Sequence, residues 1–411
     1  MAGSGDVPAL SGGAEPGFGR VVEAFVDNFR LRGDVGAGCV VYVDGTKVVD
    51  VWAGLADRRT RRPWVENTSA ALFSCTKGVV SVCAHMLVQD GLLDLDVPVS
   101  TYWPEFAGEG KEGITTRQVL AHRAGLVAVD ASFTRAEVCA WDPPVRALER
   151  QRPLWRPGTA HSYHPVTFGW LAGEVIRRIT GLTPGAFLRS RITDPRRLEL
   201  WIGLPESVRS AVAWIEPPLE EDGSDVYREI AEVQATDTAI RGMTMGEALP
   251  FPTENGVVTM NDPVLQAAEI PGVNGIATPR GLAGLYAACV SDLRGPRLLS
   301  PERVADAIVP QSWGQMFLGD PDLGQRWGAG FMISSPPIRP MLSEHSFGHD
   351  GAGGQLGFAD DEYRVGFGYI SNQMAPALDQ RANELTRALG ACLGAPEPSR
   401  RSDGGERAAW R

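Results

Sequence analysis

The stretch Phe73-Ser74-Cys75-Thr76-Lys77 places a hydroxyl and an amine in an S-x-x-K arrangement at the head of a strongly apolar run. Residues three apart share one face of a helix, so the Lys77 amine can reach the Ser74 hydroxyl. The free N–H groups of a first helical turn and the positive end of the helix dipole favour an alkoxide at Ser74 and a neutral amine at Lys77. A lysine withdrawn from water loses basicity and can then accept a proton near neutral pH. Such a pair is a nucleophile with its base built in. The 39 basic residues include only three lysines, Lys47, Lys77 and Lys111, beside 22 serines. Chance would supply roughly 0.16 S-x-x-K matches in a chain of that usage. The plainer alternative makes Ser74 a helix cap and Lys77 a solvated first-turn side chain.

Two further segments could contribute chemistry. Pro157 to Pro165 reads Pro-Gly-Thr-Ala-His-Ser-Tyr-His-Pro, a turn leading into a polar stretch before a helix. Tyr163 there could relay protons, or could be a half-buried tyrosine at a helix entrance. His161 and His164 lack a third ligand nearby and read as loop or capping residues. Gly348 to Gly354, Gly-His-Asp-Gly-Ala-Gly-Gly, has so little side chain that a substrate could lie against its backbone, with His349 placed to polarise or orient it. An ordinary glycine turn with an exposed histidine is the other reading.

Several elements must position these groups. From Phe18, the residues Val21, Val22, Phe25 and Phe29 mark an amphipathic opening helix. The β-branched runs Cys39 to Val43 and Lys47 to Trp52, separated by Asp44-Gly45-Thr46, read as a hairpin. A buried helix is expected from Cys75 or Thr76 to about Gly91, with further helices at Arg117 to His122, Phe168 to Thr180, Gly281 to Ser291 and Ala382 to Leu393. Between Glu216 and about Pro271 the chain is Pro- and acid-rich and reads as helices and loops. Short apolar runs return at Trp327 to Ser334, Gly354 to Ala359 and Tyr363 to Ser371. Strands at both ends with helices between suggest an antiparallel sheet flanked by helices and interrupted by a mainly helical insertion, an α/β (α+β) fold. Residues 1–18 and 395–411 read as flexible tails.

Composition narrows the function. A net charge of −11 and a pI near 5.2 repel polyphosphate, so no nucleic-acid partner is expected. No apolar run approaches membrane-spanning length, and the first residues lack the basic start and apolar stretch of a signal peptide, so a cytoplasmic protein with no membrane partner is expected. Six scattered cysteines without C-x-x-C, and six histidines without H-E-x-x-H, point to neither disulfide nor metal, and no cofactor is expected.

The three segments, in this order and spacing, resemble the serine hydrolase superfamily of β-lactamases and penicillin-binding proteins, most closely the class C β-lactamase-like (family VIII) carboxylesterases and related transacylases. Supporting stretches are Asp90 to Asp96, Val119 to Leu126, Gly169 to Glu174 after Tyr163, and Asn274-Gly275 to Leu285-Tyr286. The resemblance implies a β-lactamase/transpeptidase-like catalytic domain over about 19–394, its sheet part about 19–70 and 272–394 and its helical part about 71–271. It implies Ser74 as acylated nucleophile, Lys77 as activating base, Tyr163 as proton relay, His349 on the strand lining the site, and the N–H groups of Ser74 and Ala352 as an oxyanion hole. Gly351, Gly353 and Trp155 are then expected to bind substrate, with no metal and no cofactor. One departure stands out: the family's β-lactamases carry Y-x-N, whereas here Pro165 holds the third position and offers neither an amide side chain nor an N–H. The implied activity is acyl transfer from a small carboxylic ester through acyl-Ser74. Water as acceptor makes an esterase, and an amine or alcohol acceptor makes an ATP-independent biosynthetic transacylase. A β-lactamase or D-amino peptidase and a non-catalytic ligand-binding module are the remaining readings.

Overall fold

The computed structural model describes residues 8–218, 225–250, 258–374 and 378–397. Its organising element is the hairpin Gly36–Val43 and Thr46–Asp57. Asp44 and Gly45 both take positive φ, 48° and 73°, which matches the right-handed twist of the flanking strands. Val365–Ser371 pairs antiparallel with the first hairpin strand, and the sheet continues through Leu356–Asp360, Ser346–Asp350, Met332–Ile333, Arg326–Trp327 and Ser312–Trp313. The chain thus leaves the sheet after residue 57 and rejoins it near residue 312.

Side-chain alternation gives the sheet two buried faces. Cys39, Val41, Val365 and Phe367 pack with Val21 and Phe25 of the Gly19–Leu31 helix and Leu385 and Leu389 of the Arg381–Leu393 helix. Val40, Phe347 and Ala359 face the Cys75–Gln89 and Pro279–Val290 helices. The Pro279–Val290 helix sits directly on backbone: a Cβ at Gly366 would lie 2.2 Å from the Ala287 nitrogen, and one at Gly368 2.6 Å from the Ala283 nitrogen. Those glycines are there for close approach rather than for a turn. Cys75 through Leu87 are all buried, so this helix is wrapped on every side.

Most elements lie where periodicity puts them. Two features differ. Ser11–Ala14 falls in a stretch that reads as tail, yet it adds to the sheet edge against Thr46–Asp57. Its side chains are exposed and the pairing is made by backbone, which composition does not reveal. The Asp142–Arg150 helix is not among the expected elements; it carries Pro143 and Pro144 in its first turn, where a missing N–H leaves no helix bond unmade. Ser346–Asp350 is a strand carrying a buried His349, as the resemblance implies and against the alternative of an exposed histidine in a glycine turn.

Behind the sheet, on the side away from the Cys75–Gln89 helix, Arg381 is fully buried. It donates to Asp34 (2.6 Å), Asp379 (3.1 Å), Ser371 Oγ (3.2 Å) and the carbonyls of Gly353 (3.2 Å) and Gln373 (3.0 Å). Tyr369 and Ser371 donate to the same Asp34 carboxylate at 2.6 and 2.7 Å. Asp34→Ala would strand a buried guanidinium, so it is expected to cost about 3–5 kcal/mol in a urea-denaturation titration. A loss below 1 kcal/mol would show that water reaches Arg381.

Candidate active site

The segment before Ser74 is a short strand, Ala70–Ala71, paired with Ile276–Ala277. Phe73 then turns the chain with φ 47°, a left-handed conformation that costs a bulky residue about 1–2 kcal/mol. The turn is stapled: Leu72 N–H donates to Gly275 O (2.8 Å), Gly275 N–H to Thr76 Oγ1 (2.9 Å), and Thr76 Oγ1–H to Phe73 O (2.6 Å). Ser74 follows as the residue preceding the helix, and its side chain caps none of the helix N–H groups. The capping alternative for Ser74 is therefore not used.

Lys77 has no exposed surface, which removes the solvated alternative. Its Nζ lies 3.1 Å from Ser74 Oγ, 2.6 Å from Pro165 O and 2.8 Å from Gly272 O. Burial lowers its pKa to about 7, against a smaller opposing pull from Asp350 and Cys75. A neutral amine keeps two N–H bonds, enough for both carbonyls, and its lone pair is then left for the Ser74 proton. The arrangement can take a proton from Ser74 without losing any other contact.

Tyr163 is half-buried, its ring centroid 4.7 Å from Lys77 Nζ. Burial pushes its phenol well above the ordinary range, with a hydrogen bond to the Ser74 side chain acting the other way. It stays protonated at neutral pH and can pass a proton rather than act as a standing base. His349 is buried, its ring 6.0 Å from that of Tyr163. Its Nδ1 is 2.8 Å from Asp350 O, while Nε2 has no hydrogen-bond partner among the described residues. Burial lowers its pKa to about 4, so it is a neutral ring at physiological pH. Its carbonyl accepts from Cys75 Sγ (3.0 Å), which ties the strand to the residue after Ser74.

The turn after His349 lies against the Ser74 segment: a Cβ at Gly351 would sit 2.4 Å from Leu72 O. Among the described residues neither the Ser74 nor the Ala352 N–H has a hydrogen-bond acceptor, so both are free for a ligand oxygen. Gly353 is anchored through its carbonyl to Arg381 and faces Gln355, which fixes the turn from behind. Asp350 is held likewise by Arg339 Nε (3.0 Å). Trp155 makes ring contacts to His164 (6.2 Å) and Phe317 (4.8 Å) and lines a cleft of about 420 Å³ with Arg152 and Arg156.

Sequence reasoning missed the two carbonyls on Lys77 and the packing of His122 against Tyr163. Pro165, notable for the side chain it lacks, contributes its backbone oxygen instead, and backbone acceptors leave no mark on residue type. His122 lies in the Val119 to Leu126 stretch, and its ring meets those of Tyr163 (4.8 Å), Phe168 (5.3 Å), His164 (5.5 Å) and Trp327 (5.7 Å). Among the described residues no group of three or more His, Cys, Asp or Glu is arranged to hold a metal ion, and no helix is long and apolar enough to cross a membrane.

A family profile described as Beta-lactamase matches residues 20–391. The Esterase/beta-lactamase LipL of Mycobacterium tuberculosis is 32% identical over 379 residues, 89% of this chain and 84% of that protein. The crystal structure of a family VIII carboxylesterase superposes with a TM-score of 0.82 at 32% identity, covering 93% of this chain and 100% of that one. A penicillin-binding protein homolog from Caulobacter crescentus gives 0.80 at 34% identity, again covering 93% and 100%.

With only three lysines, each Cε resonance can be followed by heteronuclear NMR. One resonance, absent from Lys77→Met, should titrate near pH 7, charged below and neutral above. Three resonances all titrating above pH 9.5 would show that the amine is hydrated.

Proposed function

The chain belongs to the beta-lactamase family and is an enzyme of the serine hydrolase type, and on that premise we propose that it cleaves small neutral carboxylic esters through an acyl-Ser74 intermediate. The observation that carries the reading is the buried Lys77 amine, 3.1 Å from Ser74 Oγ with its other N–H bonds committed to carbonyls. Ser74 Oγ attacks the ester carbonyl carbon as its proton passes to Lys77 Nζ, and the carbonyl π electrons move onto oxygen. The Ser74 and Ala352 N–H groups meet that oxyanion. The C–O bond to the alcohol then breaks, and the departing alkoxide takes a proton through the Tyr163 hydroxyl, leaving Lys77 neutral again. Deacylation repeats these steps with water in place of Ser74.

The neutral character of the site supports the choice of substrate. His349 is uncharged at neutral pH and Lys77 loses its charge as pH rises through about 7, so above neutrality neither offers a cation to a carboxylate. Pro165 gives the site a carbonyl already engaged by Lys77 and no amide side chain. A penicillin or cephalosporin presents both a carboxylate and an amide, for which these residues hold no partner.

Water is the proposed acceptor. At ~55 M it captures an acyl-enzyme unless a competing nucleophile is held at high effective molarity. Of the acidic residues that could attract an amine, Glu220, Glu221 and Asp222 lie outside the described residues, and Asp225 is exposed and paired with Arg228. An amide product from an amine panel in an ester-cleaving assay would move the reading to a transacylase.

Ser74→Ala should abolish ester turnover and labelling by a fluorophosphonate while leaving thermal stability within a few degrees, since the hydroxyl caps nothing. Lys77→Arg should be nearly as damaging, because a guanidinium stays protonated. Near wild-type turnover in Ser74→Ala would end the proposal. Separately, kcat/KM for a p-nitrophenyl ester of a short acid should exceed that for nitrocefin by at least ~10²-fold; comparable values would contradict the charge argument.

A further inference from the structure

Tyr163 sits in an irregular segment between the Asp142–Arg150 and Thr167–Thr180 helices, so no ladder of its own fixes the ring. Both of its chain neighbours are instead bonded to one residue from another part of the fold. Ser162 N–H donates to the carbonyl of His122 (3.2 Å), and His164 N–H donates to His122 Nδ1 (3.1 Å). The His122 ring lies 4.8 Å from the Tyr163 ring at 50°. We infer that His122 is a positioning residue that sets the Tyr163 hydroxyl by gripping the chain on either side of it and bracing its ring, an inference that rests on the proton-carrying role proposed for Tyr163.

Local chemistry agrees with this assignment. A backbone N–H on Nδ1 requires a lone pair there, so the His122 proton resides on Nε2. Burial, with His164 and Lys77 adding to it, holds the ring well below the ordinary histidine pKa and so keeps that lone pair available. His164 is fixed in turn, Nδ1–H to Ser162 O (2.7 Å) and Nε2 accepting from Leu126 N–H (3.1 Å), which closes the loop around Tyr163. His122 itself adopts φ 60° just after the Thr116–Leu120 helix, a left-handed conformation seldom taken by a bulky residue. The packed rings of Phe168 and Trp327 keep it there.

The test uses side chains that separate the acceptor from the ring. Asn places Oδ1 where His has Nδ1 and tolerates positive φ; Leu has the same branching and no acceptor. Steady-state kinetics on a p-nitrophenyl ester are measured for His122→Asn, His122→Leu, Tyr163→Phe and His122→Leu combined with Tyr163→Phe, each checked by thermal melting. Expected are a kcat for His122→Leu at least ~30-fold below wild type with KM within about twofold, and a kcat for His122→Asn within about fivefold of wild type. In the Tyr163→Phe background, His122→Leu should cost little more, because the group it positions is already gone. Multiplying losses in the double variant would overturn the inference and leave the Tyr163 reading intact. Wild-type kcat in Tyr163→Phe would overturn both. If the Leu variants do not fold, His122→Asn decides: a folded Asn variant with kcat down more than ~50-fold overturns the inference, and one within fivefold upholds it.

Discussion

One desolvated amine governs this structure. Holding Lys77 at a pKa of about 7 against 10.5 in water corresponds to a cost on the order of 5 kcal/mol at neutral pH. That is a large fraction of the stability of a typical domain. Three stretches are shaped to meet that cost: the adjoining Phe73 turn and, from farther along the chain, the carbonyls of Pro165 and Gly272. If any of them moved outward, water would enter and the amine would recover its proton.

The protein buries a second cation for an opposite purpose. Arg381 lies behind the sheet and keeps its charge, because Asp34 and Asp379 neutralise it and several hydroxyl and carbonyl oxygens occupy its fork. Lys77 lies in front with no carboxylate within bonding distance among the described residues, so burial lowers its pKa to about 7. A guanidinium suits the first task because it cannot be deprotonated, and a primary amine suits the second because it can. Both act on one turn, since Arg381 holds the Gly353 carbonyl while the Gly351 backbone abuts the Ser74 segment.

Legibility in the sequence followed the physics of each signal. Periodicity exposed the opening helix, the hairpin and the buried helix, whose residues repeat at intervals set by backbone geometry. Ser74 and Lys77 were readable because their chemistry is local, three residues apart on one helix. His349 reads as a strand residue only through the family resemblance, since glycines that admit a neighbouring backbone look the same in sequence as glycines that bend the chain. The carbonyls on Lys77 come from positions 88 and 195 residues away, and any residue type can supply a carbonyl. His122 was read only as part of a supporting stretch, because its grip on Ser162 and His164 exists only after the two loops meet.

The distance along the chain between Lys77 and its acceptors bears on how such a protein ages and fails. Joining residue 77 to residue 272 closes a long loop, so the contact depends on two distant stretches staying docked. Partial openings precede global unfolding in most proteins. Here the first molecule of water to reach the amine would restore its proton and remove the base proposed for Ser74, with the sheet and its helices still intact. Loss of function under heat or denaturant would then run ahead of loss of structure, and the active fraction of a preparation would report on the tightness of one junction rather than on the amount of folded chain.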